Sequence, residues 1–93
     1  MHIEGFIKYL TKEKKMSKNS LEAYERDVMD FFAFEEEKGI KDPAETTNTE
    51  IVGYLLKLKN EGKSAATINR KLASTRSFFN YMQNAGIISG NPT

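Results

Sequence analysis

Hydrophobic side chains recur at intervals of three and four residues in four stretches of the chain, which is the spacing of helices that bury one face. The four apolar stripes are Ile3, Phe6, Ile7 and Leu10; Leu21, Tyr24, Val28, Phe31 and Phe32; Ile51, Tyr54, Leu55 and Leu58; and Ile68, Leu72, Phe79 and Met82. They predict helices over roughly residues 2–13, 18–38, 48–61 and 64–85. No stretch alternates with the two-residue period of a strand. The pattern therefore predicts an all-α fold, a bundle of four helices.

Residues with known end preferences mark where these helices begin and end. Ser17 and Ser64 stand where N-caps are expected, because a serine side chain accepts a hydrogen bond from the first helical turn. Thr47, followed three residues later by Glu50, has the pattern of a capping box and opens the third helix. Gly39 follows the second helix, at the position where a left-handed residue ends many helices.

The charges are distributed unevenly, although the 93-residue chain has a net charge of only +1. Its length, with 39% apolar and 29% charged residues, is typical of one small globular domain. Residues 64–93 contain Arg70, Lys71 and Arg76 but no Asp or Glu, whereas the whole chain has 13 acidic residues. A segment without carboxylates is typical of a surface that meets an anion such as nucleic acid.

The types of residue present exclude several kinds of chemistry. The chain has no cysteine and one histidine, His2, so a thiolate metal site is excluded and a histidine base is not expected. None of the four tyrosines has a neighbouring base that would activate it as a nucleophile. We therefore expect no metal, no cofactor and no enzymatic activity in this chain. No apolar run reaches the length of a membrane span and the first residues lack the layout of a signal peptide, so we expect a cytoplasmic protein without a membrane partner.

The pattern also predicts the surroundings of individual side chains. Tyr54 lies in the third stripe, so its ring is expected in the core with the hydroxyl at the surface. Glu35 begins a run of three glutamates, which is expected to form a solvated face of the second helix. Phe34 lies about 140° from the stripe of that helix and is expected to cover the first helix.

The fourth predicted helix has small and polar residues on the side opposite its apolar stripe. This side consists of Ala66, Arg70, Ala73, Ser74 and Ser77, with Asn69, Arg76 and Asn80 along one edge. Small side chains let a helix approach a DNA groove, where arginine binds guanine or phosphate and asparagine binds adenine. The same face also fits close packing against a helix of a protein partner. DNA binding and a protein-interaction bundle therefore remain the two hypotheses.

The starts of the second and fourth helices share a local pattern. Residues 17–21 and 64–68 both have the form Ser-x-x-hydroxyl-aliphatic, and a lysine stands beside each start, Lys18 and Lys63. Capping alone explains the pattern, and so does capping combined with phosphate binding, since free backbone N–H groups at a helix start attract anions.

Taken together, these residues resemble a known family. Ser17-x-x-Ser20-Leu21-x-x-Tyr24-x-x-Asp27 is similar to the opening signature of the core-binding domain of tyrosine recombinases. Residues 64–82, with the pattern Ser-x-x-Thr-Ile-Asn-Arg-Lys-Leu-x-x-x-Arg-x-Phe-Phe-x-Tyr-Met, resemble its fourth helix. Gly86-Ile87-Ile88 followed by Asn91-Pro92 resembles its exit into the catalytic domain. The resemblance covers nearly the whole chain, and both Xer-type recombinases and phage integrases use this domain.

The resemblance implies a SAM-like four-helix module over residues 1–88 that binds double-stranded DNA, with its second and fourth helices in the major groove. Residues 89–93 would begin a linker to a C-terminal catalytic domain of the same full-length chain, which in the family carries the catalytic residues. It also implies that the domain joins other recombinase protomers in a synaptic complex during DNA recombination and integration. We expect the isolated domain to be monomeric, although the sequence alone leaves dimerisation open. Such a protein is bacterial, archaeal or phage-encoded and associates with the nucleoid.

The DNA-contacting residues follow from the resemblance position by position. It selects Ser17, Lys18, Asn19, Ser20, Tyr24 and Arg26 at the start of the second helix, and Ser64, Thr67, Arg70, Lys71, Ser74 and Arg76 on the fourth. The residue pattern itself adds Lys63 and Asn69. None of them is expected to be catalytic or to bind a metal.

Overall fold

Four α-helices and one short 3-10 turn make up the fold in the computed structural model, which describes residues 2–93. The elements are α1 (Ile3–Lys12), α2 (Lys18–Glu37), a 3-10 turn (Pro43–Glu45), α3 (Asn48–Asn60) and α4 (Ala65–Asn84). Residues 2–93 contain no strand, so the predicted all-α four-helix bundle is confirmed. The predicted domain begins at Met1, which lies outside the described residues.

The helix ends follow the local signals in the sequence. Glu50 accepts a hydrogen bond from the backbone N–H of Thr47 at 2.9 Å, as the capping-box pattern predicts. Gly39 has a φ of +82°, in the left-handed region that glycine adopts without strain, and it follows the end of α2. Gly62, at +78°, has the same conformation between α3 and α4. These ends are determined by contiguous residues, which explains why the sequence alone predicts them.

Edge-to-face contacts between phenylalanine rings hold α1, α2 and α4 together. Phe78 of α4 packs against Phe6 of α1 and Phe32 of α2, with ring centroids 5.3 and 5.1 Å apart. Phe79 packs against Phe31 of α2 at 5.9 Å. All five rings are buried. Offset aromatic contacts of this kind add to the free energy gained by removing the rings from water.

The helices α2 and α4 run in the same direction. Asp27 of α2 is hydrogen-bonded to Ser74 of α4, and further along both helices Phe32 packs against Phe78. The contacts therefore occur in the same order on the two helices. Asp27 and Ser74 also stand the same number of residues after their N-caps, so the starts of α2 and α4 lie on the same side of these contacts, at one end of the bundle.

Phe34 is buried in a different place from the one predicted. Its ring packs against Tyr54 of α3, with centroids 5.3 Å apart, so the expected contact with the first helix is wrong. Helix α3 packs against the second half of α2, where Tyr54 contacts both Phe31 and Phe34. The side of α2 that lies away from α1 is therefore covered as well.

Glu35 is also buried, so the solvated position predicted for it is wrong. The residue is only 2% exposed, and its carboxylate accepts a hydrogen bond from the hydroxyl of Thr46, which precedes α3. Burial raises the pKa of Glu35 to about 7, and the nearby carboxylates of Glu50 and Asp42 add to the rise. The hydrogen bond from Thr46 lowers the pKa, but by less. The connection between α2 and α3 therefore covers an acidic group.

Tyr54 confirms one half of its prediction and contradicts the other. Its ring is buried between Phe31 and Phe34, but its hydroxyl is buried too and has no hydrogen-bond partner within residues 2–93. Burial raises the pKa of Tyr54 above its ordinary value. Tyr54 and Lys71 line the same cavity between α2, α3 and α4.

We expect Tyr54→Phe to raise the free energy of unfolding by about 1–2 kcal/mol, because it removes a buried hydroxyl that lacks a partner and keeps the ring. Urea unfolding monitored by circular dichroism measures the change. Tyr9→Phe, at a half-buried position, is the control and is expected to change the value by less than about 0.5 kcal/mol. A loss of stability in Tyr54→Phe would contradict the absence of a partner.

Candidate nucleic-acid interface

The starts of α2 and α4 have the same cap geometry. Ser17, at φ −66° and ψ 159°, accepts a hydrogen bond from the backbone N–H of Ser20 at 3.3 Å. Ser64, at φ −67° and ψ 158°, accepts one from Thr67 at 3.2 Å. Both predicted N-caps are confirmed, and the shared sequence pattern corresponds to a shared structure.

Each of these helix starts retains donors that point out of the helix. The cap serine satisfies one backbone N–H of the first turn, while the first helical residues, Lys18 and Asn19 on α2 and Ala65 and Ala66 on α4, have no partner for theirs within their own helix. All four residues are exposed. Since the two starts lie at the same end of the bundle, their partial positive charges face the same region of solvent.

The predicted contact residues fall into three groups by exposure. Exposed are Ser17, Lys18, Asn19, Arg26, Lys63, Ser64, Asn69, Arg70 and Arg76; half-buried are Ser20, Tyr24 and Thr67; and buried are Lys71 and Ser74. The first group therefore supplies accessible polar side chains on both α2 and α4. The buried pair needs a separate account.

Lys71 and Ser74 point into the bundle rather than out of it. The ammonium of Lys71 lies 3.2 Å from Asp27 and 2.8 Å from Asp30, and the hydroxyl of Ser74 donates to Asp27 at 3.0 Å. The outward position predicted for Ser74 is therefore wrong. Helix α4 packs against three other helices, so its buried arc is wider than its apolar stripe and includes polar side chains. We leave both residues out of the proposed interface.

Arg70 is both exposed and ion-paired. Its Nε and Nη2 atoms donate to the carboxylate of Asp27 at 3.1 and 2.9 Å, while 48% of the side chain remains exposed. This contact uses one edge of the guanidinium fork and leaves the Nη1 protons for another acceptor. Arg70 therefore anchors α4 to α2, which changes the purely outward role predicted for it.

Asp27 is the centre of this network. Burial raises the pKa of Asp27, but the hydrogen bonds from Arg70, Ser74 and Lys71 lower it by more, so its net pKa lies below the ordinary value and the group is a carboxylate at neutral pH. In the sequence, Asp27 stands out only as the last residue of the motif that begins at Ser17. Its burial could have been predicted from its position directly before Val28 of the apolar stripe of α2. A carboxylate so close to a core requires a cationic partner.

The outward side of α4 borders a groove that sequence reasoning had not assembled. The groove has a volume of about 340 Å³ and is lined by Tyr9, Lys14, Ala73, Arg76, Ser77, Asn80 and Asn84. No carboxylate lines it. Tyr9 and Lys14 come from α1 and the turn after it, so only packing brings them beside α4. This surface, called the α1–α4 groove below, continues the carboxylate-free side of α4.

Comparison with known proteins identifies relatives over nearly the whole chain. Residues 3–86 match the family described as "Phage integrase, N-terminal SAM-like domain". The chain is 40% identical over 91 residues to "Tyrosine recombinase XerD" of Listeria monocytogenes, with 97% of this chain and 31% of the relative aligned. It is 37% identical over 89 residues to "Tyrosine recombinase XerC" of Listeria welshimeri, with 96% and 30% aligned.

The chain thus spans about a third of the length of these relatives. No solved structure gives a significant match. Within residues 2–93, every helix is too short or too polar to span a bilayer. The four-helix bundle and the match over residues 3–86 lead to one conclusion: the chain belongs to the phage integrase N-terminal SAM-like domain family.

Proposed function

We propose that this chain is the DNA-binding module of a site-specific tyrosine recombinase or integrase and that it binds duplex DNA through α2 and α4. The observation that carries the proposal is the position of two identically capped helix starts at one end of the bundle, next to a side of α4 without carboxylates. The named relatives, which are tyrosine recombinases, support the same function.

The exposed residues have the chemistry for both kinds of DNA contact. The helix starts at Ser17 and Ser64 offer backbone N–H groups to phosphates, which position a protein on the duplex. Asn69 and Arg76 are exposed on α4 between small residues, and side chains of these types read adenine and guanine in the major groove. Arg70 reaches the same surface with its unpaired Nη1 group.

Strand cleavage belongs to another part of the full-length parent in this proposal. The chain aligns with less than a third of its XerD relative, so a C-terminal catalytic domain and further protomers in a synaptic complex are the proposed partners. Residues 89–93 begin the linker to that domain. Asn48 donates to the carbonyl of Pro92 at 3.2 Å, so the segment leaves the bundle beside α3.

Titration of the chain with duplex DNA, followed by amide chemical shifts at low and moderate salt, tests the proposal. We expect shifts that cluster at residues 17–26 and 64–77 and weaken as salt is added, because phosphate contacts release counterions. Shifts confined to residues 31–60 would contradict it. A salt-insensitive protein complex on the same face, without any DNA response, would favour the alternative of a protein-interaction bundle.

Arg76→Ala is expected to weaken DNA binding about 3–10-fold, because an exposed guanidinium without a carboxylate partner is lost from the surface. Fluorescence anisotropy with a labelled mixed-sequence duplex measures the affinity. Lys59→Ala removes one positive charge from an exposed position on α3 and is the control, with binding expected to stay near the wild-type value. Arg70→Ala is a poorer test, because it also breaks the ion pair with Asp27.

A further inference from the structure

One side of the α1–α4 groove is formed by Tyr9 of α1 and by the turn after α1, and the other side is formed by α4. The turn after α1 carries Lys14, and it is closed by a hydrogen bond from the backbone N–H of Met16 to the carbonyl of Leu10 at 3.3 Å. The opposite wall is α4, where Ala73 and Ser77 form a floor of small side chains. An elongated group can therefore approach the helix closely at this point.

The two cations of the groove have no carboxylate partners. The ion pairs within residues 2–93 involve Lys57, Arg70 and Lys71, but neither Lys14 nor Arg76. The ammonium of Lys14 lies 5.9 Å from the centroid of the Tyr9 ring, a cation–π contact that holds it beside the groove. Two like charges that line one groove repel each other, and an anion between them removes this repulsion.

Asn80 presents a donor to the same groove. Its Oδ1 atom accepts a hydrogen bond from the side-chain amide of Asn91 at 2.6 Å. The oxygen retains a second lone pair, while the NH2 group of Asn80 has no hydrogen-bond partner among residues 2–93 and is a donor only. Asn91 therefore orients Asn80 so that it matches an acceptor such as a phosphate oxygen.

We infer that the α1–α4 groove binds one segment of the DNA sugar-phosphate backbone, with Lys14 and Arg76 as charge partners and Asn80 as a neutral donor. The inference rests on the proposed function and extends it, because Lys14 and Asn80 were not among the predicted contacts and Lys14 lies outside α2 and α4. Asn91 acts as a positioning residue for Asn80. The groove would then extend the interface from the helix starts along α4.

Lys14→Ala tests the charge contribution through the salt dependence of binding to a labelled mixed-sequence duplex. The logarithm of the association constant falls as the logarithm of the salt concentration rises. Loss of one phosphate contact is expected to make this negative slope shallower by about 0.9 and to weaken binding about 3–10-fold at about 0.1 M salt. Lys8→Ala removes the same charge from an exposed position on α1 outside the groove and is the control. Equal slopes for the two variants would overturn the inference.

Asn80→Asp tests the groove by placing a carboxylate where a phosphate is expected, with nearly the same side-chain volume. We expect binding to fall more than tenfold, whereas Asn60→Asp, which makes the same change at an exposed position of α3, should keep the wild-type affinity within about twofold. Equal affinities for the two variants would overturn the inference. Circular dichroism checks that both are folded.

The outcomes separate this inference from the proposed function. If the wild-type chain binds no duplex, the proposed function fails. If the wild type binds and the groove variants match their controls, only the groove inference fails. Inorganic phosphate provides a further readout, compared with chloride at the same ionic strength. If phosphate weakens duplex binding more than chloride does, and the difference disappears in Lys14→Ala, then phosphate and the duplex compete for the groove and the inference is supported.

Discussion

Asp27→Asn is expected to lower the free energy of unfolding by about 3–5 kcal/mol, the range observed when one partner of a buried ion pair is removed. The carboxylate of Asp27 is completely buried and accepts hydrogen bonds from Arg70, Lys71 and Ser74. Its replacement leaves the ammonium of Lys71, whose side chain is 9% exposed, with only the half-exposed carboxylate of Asp30. Urea unfolding at neutral pH measures the loss.

The pH dependence supplies a second readout for Asp27. Its pKa is lower in the folded chain than the ordinary value of 3.8, so its contribution to stability is present above that value and is lost as the pH falls towards the folded pKa. The Asn variant should lack this part of the acid destabilisation. Glu25→Gln, at an exposed position of α2, is the control and is expected to change stability by less than about 0.5 kcal/mol.

A further variant shows whether the lost stability comes from the stranded cation. In the Asp27→Asn background, Lys71→Met removes the buried ammonium and keeps most of its volume, so it should recover part of the loss. An Asp27→Asn chain as stable as the wild type would contradict the described network.

Glu35→Gln is expected to raise the free energy of unfolding by about 2–3 kcal/mol at pH 8, because it removes a charge that the fold buries. The pKa of Glu35 rises from 4.5 to about 7 on folding. The protonated form is therefore the favoured one, and its contribution to stability is complete below pH 4.5 and is lost as the pH rises through about 7. The amide oxygen of glutamine still accepts the hydrogen bond from Thr46.

Unfolding measured between pH 4 and pH 8 tests this sign. The difference between wild type and Glu35→Gln should be largest at the alkaline end and shrink towards acid. Glu36→Gln changes the neighbouring, exposed glutamate and should follow the wild-type pH profile. Parallel profiles for wild type and Glu35→Gln would mean that Glu35 ionises freely in the folded chain.

The Asp27 network also connects stability with the proposed interface. Arg70 neutralises the carboxylate of Asp27 beside the side of α4 that we propose faces DNA, and it retains one edge of its guanidinium on that side. The contact between α2 and α4 therefore presents little negative charge at Asp27, although α2 itself contains several acidic residues. A phosphate surface is repelled by exposed carboxylates, so this neutralisation supports the proposed function.

The number of helices, their ends and most of the core can be predicted from the order of residues along the chain. The spacing of apolar residues, the cap serines Ser17 and Ser64 and the terminal Gly39 act through neighbours within one or two turns, so they can be read from contiguous residues. The position of the starts of α2 and α4 at one end of the bundle cannot be read in this way, because the relative direction of two helices depends on packing.

Which polar groups are buried, and which of them contact each other, depends instead on how the helices pack. Glu35 and the hydroxyl of Tyr54 are buried because other elements close over them, and a helical wheel describes only one helix at a time. The pair between Asp27 and Arg70 joins residues 43 positions apart, and the α1–α4 groove joins Lys14 to α4. Such contacts depend on how whole helices pack, and no local pattern encodes that arrangement.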